Sequence, residues 1–138
     1  ATSTFCKNFH RLSDAVKSRL TVENDDKASL YSVKELYEMI YKEIGIPIVF
    51  DYHHHKFCTG GQTEQEALAL AVSTWGDIKP VVHYSESKAE EQNNPKIRPQ
   101  ARSDYIQKKI LTYDLDVDIM VEAKAKELSI LQYKKLWC

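Results

Sequence analysis

Apolar runs that end on acidic or imidazole side chains recur along this chain, separated by stretches with helical spacing. The runs are LTVENDDK (Leu20 to Lys27), GIPIVFDYHHH (Gly45 to His55), KPVVHYS (Lys79 to Ser85) and DIMVEAK (Asp118 to Lys124). A short amphipathic helix is predicted around Leu12 to Leu20, followed by a strand ending near Asn24. Ser32 and Glu35 form an S-x-x-E capping box, and Val33, Leu36, Tyr37, Ile40, Tyr41 and Ile44 repeat at helical spacing until Gly45 supplies a stop. Ile46 to Phe50 is uninterruptedly apolar, which predicts a strand covered on both faces, with Asp51 at its polar end. CTGGQ (Cys58 to Gln62) is a turn. Thr63 and Glu66 repeat the capping box ahead of Leu68, Ala71, Val72 and Trp75, with Gly76 as terminator. Lys79 to Tyr84 is the third strand, and Ser85 to Gln100 a long polar loop. Tyr105, Ile106, Ile110 and Leu111 predict another helix, Val117 to Val121 a fourth strand, and Ala123 to Leu136 a last helix with Leu128 and Leu131 on its apolar side.

Strands separated by helices at intervals of roughly thirty residues match the parallel βαβ repeat. The expected class is α/β, with residues 1–138 forming a single domain of four β–α units. Reactive residues at the carboxyl ends of all four strands suit about half of a TIM-type (β/α)8 barrel better than an open sheet, where a site gathers at one switch point. Half a barrel exposes two strand edges and much apolar surface. The other half is therefore expected from sequence outside this chain or from a second chain, and the absence of an initiator Met suggests a fragment.

Composition changes this picture little. With 43% hydrophobic and 28% charged residues, the 138 positions describe an ordinary soluble globular protein. A formal net charge of −1 gives no global attraction to nucleic acid, so such binding needs a local basic patch or bound cations. No run is long enough to cross a bilayer, and the three cysteines are odd in number and lack CxxC spacing, which predicts reduced thiols and an intracellular location.

The chemistry lies at the strand ends, at Glu23, Asp51, His54, His83 and Glu122. Each has a plainer reading. Glu23 sits in an acidic cluster that could simply favour a helix N-terminus, His83 could be a structural strand histidine, and Glu122 a helix cap. Asp51 and His54, in D-x-x-H spacing, can converge on one cation, a carboxylate and an imidazole together suiting Mn, Zn or Fe. His53 and His55 are either supporting or surface residues. Lys79 shares the alternating face of His83 and could lie deeper along the same wall. Five acids and imidazoles at equivalent strand ends point together to metal binding.

At these residues the chain resembles the C-terminal half of the UV-damage endonuclease family, relatives of endonuclease IV within the xylose-isomerase-like barrels. The likeness runs from about Phe9 to Lys126 and rests on LTVENDDK, the following YSVKEL, GIPIVFDYHHH, VHYS and DIMVEAKAKE in order. It implies metal ligands at Glu23, Asp51, His54, His83 and Glu122, with Glu23, Glu122 and Lys79 as catalytic candidates. Two positions depart from the family: Val81 stands where it uses a modified lysine, and Arg102 where it has a histidine ahead of Asp104, Tyr105 and Ile106. The remaining histidine ligands belong to the family's N-terminal half. The implied activity is a DNA repair endonuclease making a metal-dependent nick 5′ to UV photoproducts such as pyrimidine dimers. Its cofactors would be divalent ions, Mn2+ foremost, with Mg2+ or Zn2+ as alternatives, and its partner UV-damaged double-stranded DNA. Lys88, Arg98 and Arg102, with Lys96, are candidate phosphate contacts. Other readings are an abasic-site nuclease like endonuclease IV, a sugar isomerase on the same kind of metal barrel, and an inactive remnant. Alone, half a barrel would lack part of the site and be inactive.

Overall fold

The structure, a computed structural model, describes residues 1–138. Four strands, β1 (Val22–Glu23), β2 (Ile48–Asp51), β3 (Val81–Tyr84) and β4 (Asp118–Val121), form one parallel sheet in the order β1-β2-β3-β4. Every consecutive strand pairs with the next, so the sheet grows in one direction and has no reversal point. Two helices precede it, α1 (Thr2–Phe9) and α2 (Asp14–Lys17). The second is shorter than the predicted Leu12 to Leu20 element, and α1 lies in the stretch before it, where Phe5, Cys6 and Phe9 form a short apolar face.

The two capping boxes form as read. Ser32 opens α3 (Val33–Leu36), its hydroxyl accepting from the Glu35 N–H while the Glu35 carboxylate accepts from the Ser32 N–H, both at 3.3 Å. The helix then widens into a π-turn over Tyr37–Tyr41 and closes as α4 (Lys42–Ile44), where Gly45 takes the left-handed φ of 72°. A short α5 (Tyr52–His55) follows β2 directly. Thr63 and Glu66 cap α6 (Glu64–Ser73) in the same reciprocal way.

The end of α6 is clamped to the start of β2. Thr74 Oγ1 accepts from the Ile48 N–H at 2.8 Å, and the Trp75 indole donates to the Ile48 carbonyl at 2.8 Å. Strand alternation divides the sheet. Ile48, Phe50, Val82 and Tyr84 join Val33, Leu36, Ile40, Ala67, Leu68 and Ala71 in one apolar core, with Ile119 and Val121 at its margin. The opposite face carries Glu23, Val49, Asp51, His83 and Met120. Ile48 to Asp51 is buried at every position, as a doubly covered strand requires, whereas β4 alternates between exposed and half-buried.

Two predicted features are corrected. Within the Ser85–Gln100 loop a short helix α7 (Lys88–Glu91) forms, but Tyr105 to Leu111 is not helical. Its amides are held by side chains: the buried Glu86 carboxylate accepts from the N–H groups of Gln107 at 2.9 Å and Lys108 at 3.0 Å, and from the Tyr84 hydroxyl at 2.7 Å. Glu91 accepts from those of Asp104 and Tyr105, each at 2.9 Å, so few amides remain for an i→i−4 ladder. Ile106 and Ile110 still fill the core, from an irregular segment. The last helix, α8 (Glu127–Trp137), turns a different face inward from the one predicted. Leu128 and Leu131 are 54% and 55% exposed, while buried Ser129 accepts from the Ile106 N–H and the Tyr133 hydroxyl from the Ile110 N–H, both at 3.1 Å. Hydrogen bonding to an otherwise orphaned segment outweighs the leucine stripe in setting this helix's rotation. No helix is long and apolar enough to cross a membrane, and all three cysteines are free.

Phe50 is fully enclosed and stacks edge-on with Tyr52 at 4.8 Å. Phe50→Ala is expected to lower stability by about 3–5 kcal/mol. Ser129→Ala, by orphaning the Ile106 amide, should cost about 1–3 kcal/mol. Urea unfolding curves measure both; a neutral Ser129→Ala would contradict the inward face assigned to α8.

Candidate metal centre

β1 and β2 pair at only two positions, Val22 with Ile48 and Glu23 with Val49, so the site just past their ends needs another tie. Asn24 provides it. Its side-chain amide accepts from the Asp51 N–H at 2.8 Å and donates to the Asp51 carbonyl at 3.0 Å, replacing the next rungs of the ladder, and the residue is almost wholly buried. The sequence marks Asn24 only as the residue after a strand; an amide at the entrance of an acidic cluster is the one signal that could have singled it out.

Asp51 then ends β2 and caps α5. Its Oδ1 accepts from the His54 N–H at 2.9 Å, so the D-x-x-H spacing is that of an N-cap and its N3 residue. The other carboxylate oxygen, Oδ2, lies 3.7 Å from His54 Nε2. His54 Nδ1 is 2.8 Å from the Asn24 carbonyl. A carbonyl can only accept, which assigns the proton to Nδ1 and leaves the Nε2 lone pair facing the site. A backbone carbonyl that fixes the tautomer of a histidine in this way is the usual support of a metal-ligating imidazole.

Glu23, Asp51 and His54 each offer a ligand atom, and those atoms all lie within 4.8 Å of one another. Burial, the hydrogen-bonded Asp51 carboxyl and its charge push the Glu23 carboxyl above its ordinary range, opposed by His83, whose Nδ1 is 3.1 Å from Glu23 Oε1. Two adjoining carboxylates need either a proton or a cation between them. Two facing carboxylates fit a divalent ion such as Mn2+ or Zn2+, while the His54 Nε2 lone pair is met by Arg102 Nη2 at 3.1 Å. β3 places His83 in register with Asp51 on the same sheet face, so it stands beside this group through Glu23.

The other candidates stand outside this group of three. Glu122 lies just beyond β4, two-thirds exposed, and its carboxylate is bound to Arg102 Nε at 3.2 Å. Lys79 precedes β3 and bonds Asp118 at 3.0 Å and Asp116 at 3.4 Å. Being four residues before His83 on an extended chain, roughly 13 Å, it sits at the opposite end of the sheet from the site. Lys88 pairs with Asp104 at 3.5 Å, whereas Arg98 and Lys96 are exposed. His53 and His55 are both buried rather than superficial, and burial lowers the pKa of each. His53 Nε2 reaches the Gln100 carbonyl at 3.2 Å, which ties α5 to the long loop.

The chain matches the family described as UV-endonuclease UvdE over residues 1–136. It is 36% identical over 143 residues to a UV DNA damage endonuclease of Bacillus velezensis, covering 96% of this chain and 42% of that protein. With the UV DNA damage endonuclease of Bacillus mycoides the identity is 33% over 142 residues, again 96% of this chain and 42% of the relative. A crystal structure of SacUVDE superposes with a TM-score of 0.81 at 32% identity, over 98% of this chain and 45% of that one. The chain thus spans less than half the length of these relatives.

Asn24→Ala removes both partners of the Asp51 backbone and is expected to destabilise the protein by about 2–3 kcal/mol. The backbone carbonyl that holds the His54 Nδ1–H remains in the alanine variant, so the ring should keep its tautomer. Urea unfolding tests the first effect and histidine side-chain NMR the second; an unchanged unfolding midpoint in the variant would remove the Asn24 amide as the tie between the strand ends.

Proposed function

This chain belongs to the UV-endonuclease UvdE family, and from that membership we propose that it contributes the C-terminal part of a metal-dependent DNA repair endonuclease that nicks 5′ to UV photoproducts in double-stranded DNA. The observation that carries the metal dependence is the convergence of the Glu23 and Asp51 carboxylates, whose ligand atoms lie within 4.8 Å of one another. Glu23 and Asp51 are the anionic ligands, and His83 orients Glu23 through their 3.1 Å contact. A bound divalent ion would supply charge stabilisation at the phosphoryl oxygens and lower the pKa of a water molecule. The remaining work falls to the protein. Asn24 keeps the two strand ends together, and Asp51 holds His54 in place through the α5 cap. Lys88 and Arg98, on the loop beside the site, are the proposed phosphate contacts.

We read the sheet as about half of a (β/α)8 barrel and residues 1–138 as one unit of it. Three features support this: the sequential β1-β2-β3-β4 order, a free edge on each of β1 and β4, and relatives more than twice as long. Leu128, Leu131, Leu136 and Trp137 on α8, and Val16 near the other edge, expose the apolar surface that the remaining units would cover. The face bearing Glu23, Asp51 and His83 would then line the barrel interior, and the other units would complete the site. The location expected for such an enzyme is intracellular.

The full-length protein, supplied with Mn2+, is expected to convert UV-irradiated supercoiled plasmid to nicked circles while sparing untouched plasmid. Chelation should abolish nicking, and Asp51→Asn should slow it roughly 100-fold or more, since an ion of this kind is worth several kcal/mol in the transition state. Nicking of abasic plasmid alone would move the reading to an endonuclease IV-like activity, and chelator-resistant nicking would sink the metal centre.

A further inference from the structure

Arg102 is placed by backbone structure before its side chain does anything. It forms an isolated antiparallel bridge with Ser87, flanked by the Lys88 N–H to Ala101 carbonyl bond at 2.8 Å and the Ser103 N–H to Glu86 carbonyl bond at 2.9 Å. From this anchor the guanidinium, only 20% exposed, uses all three of its nitrogens. Nε donates to Glu122 Oε2 at 3.2 Å, Nη1 to the Gln100 carbonyl at 3.1 Å, and Nη2 to His54 Nε2 at 3.1 Å. The acceptors come from three separate segments: a carboxylate beyond β4, a carbonyl of the long loop and an imidazole of α5. A carboxylate, a carbonyl and an imidazole nitrogen with a free lone pair are together a donor set for a divalent ion.

We propose that the Arg102 guanidinium is a built-in cation that takes the place of a divalent ion between His54 and Glu122, so that this protein holds one metal ion fewer than its donor groups could bind. The proposal rests on the metal-binding reading of Glu23 and Asp51 given above. The His54 ring has one lone pair to give, since Nδ1 is committed to the Asn24 carbonyl. That pair is already taken by Arg102 Nη2, and a ligand atom cannot serve a guanidinium N–H and a metal at once. Arginine keeps its charge at every accessible pH, so it neutralises Glu122 permanently rather than in response to metal supply. The planar fork explains why the residue is arginine: a lysine ammonium could not span these three acceptors from one anchor. Glu122 would therefore be a ligand of Arg102 and not of the ion at Glu23 and Asp51.

The test is a count of bound Mn2+ per full-length protein, read by electron paramagnetic resonance during titration to saturation. Arg102→Ala is expected to bind one equivalent more than the wild type, and Arg102→Ala combined with Glu122→Gln to return to the wild-type count. Arg102→Gln carries the same expected gain without the charge, and serves if the alanine variant fails to fold by circular dichroism. Equal, non-zero counts in wild type and both single variants would overturn the replacement and leave the proposed metal centre standing. No bound Mn2+ in any of these proteins would overturn both.

Discussion

The site depends on one side-chain amide. The Asn24 side chain makes two hydrogen bonds to the Asp51 backbone, and the backbone carbonyl of the same residue accepts a third from His54 Nδ1–H, so a single residue past β1 fixes both the end of β2 and the first turn of α5. Two short strands joined at two register positions would otherwise be free to splay at the place where carboxylates must face each other. The bonds are made in a buried setting, where an unpaired amide is costly, so there is a strong free-energy difference between this arrangement and any other. Rigidity at the strand ends is thus local, and it does not rely on the length of the ladder.

Strand alternation does the rest of the positioning. With Ile48, Phe50, Val82 and Tyr84 drawn into the core beneath the helices, the intervening residues Val49, Asp51 and His83 have no choice but the opposite face. The hydrophobic effect that orders the sheet therefore aims the polar groups. Thr74 and Trp75 hold β2 from the helix side, and Asn24 holds it from the far end. β2, which carries Asp51, is consequently held at both of its ends.

Much of this is legible in the sequence because it is local. Both capping boxes, the αL stop at Gly45, the apolar run of β2 and the D-x-x-H spacing each depend on residues within a few positions of one another, and they form where they are expected. What the sequence hides is set by long-range pairing. Tyr105 to Leu111 has helical spacing, yet Glu86 and Glu91 capture its amides from about twenty and thirteen residues away. The leucines of α8 suggest an inward face, but Ser129 and Tyr133 answer to Ile106 and Ile110 instead. Asn24 carries no periodic signal, and its importance appears only when Asp51 is beside it. Lys79 shares a strand face with His83, which periodicity reads correctly, but a face says nothing of which end of the strand meets the site.

The long loop follows the same logic with charge in place of apolar surface. Two of its acidic residues, Glu86 and Glu91, bind backbone amides. Arg102, at the loop's end, reaches the His54 ring and Glu122. Gln100 gives its carbonyl to both His53 and Arg102, so the loop is stitched to α5 at adjacent points. A charged side chain in this half-buried place is stable because each of its three nitrogens finds an acceptor. The loop's shape and the occupancy of His54 are consequently one problem: the cation that meets the Nε2 lone pair of that ring is also, with the His53 to Gln100 bond, a tie between α5 and the loop.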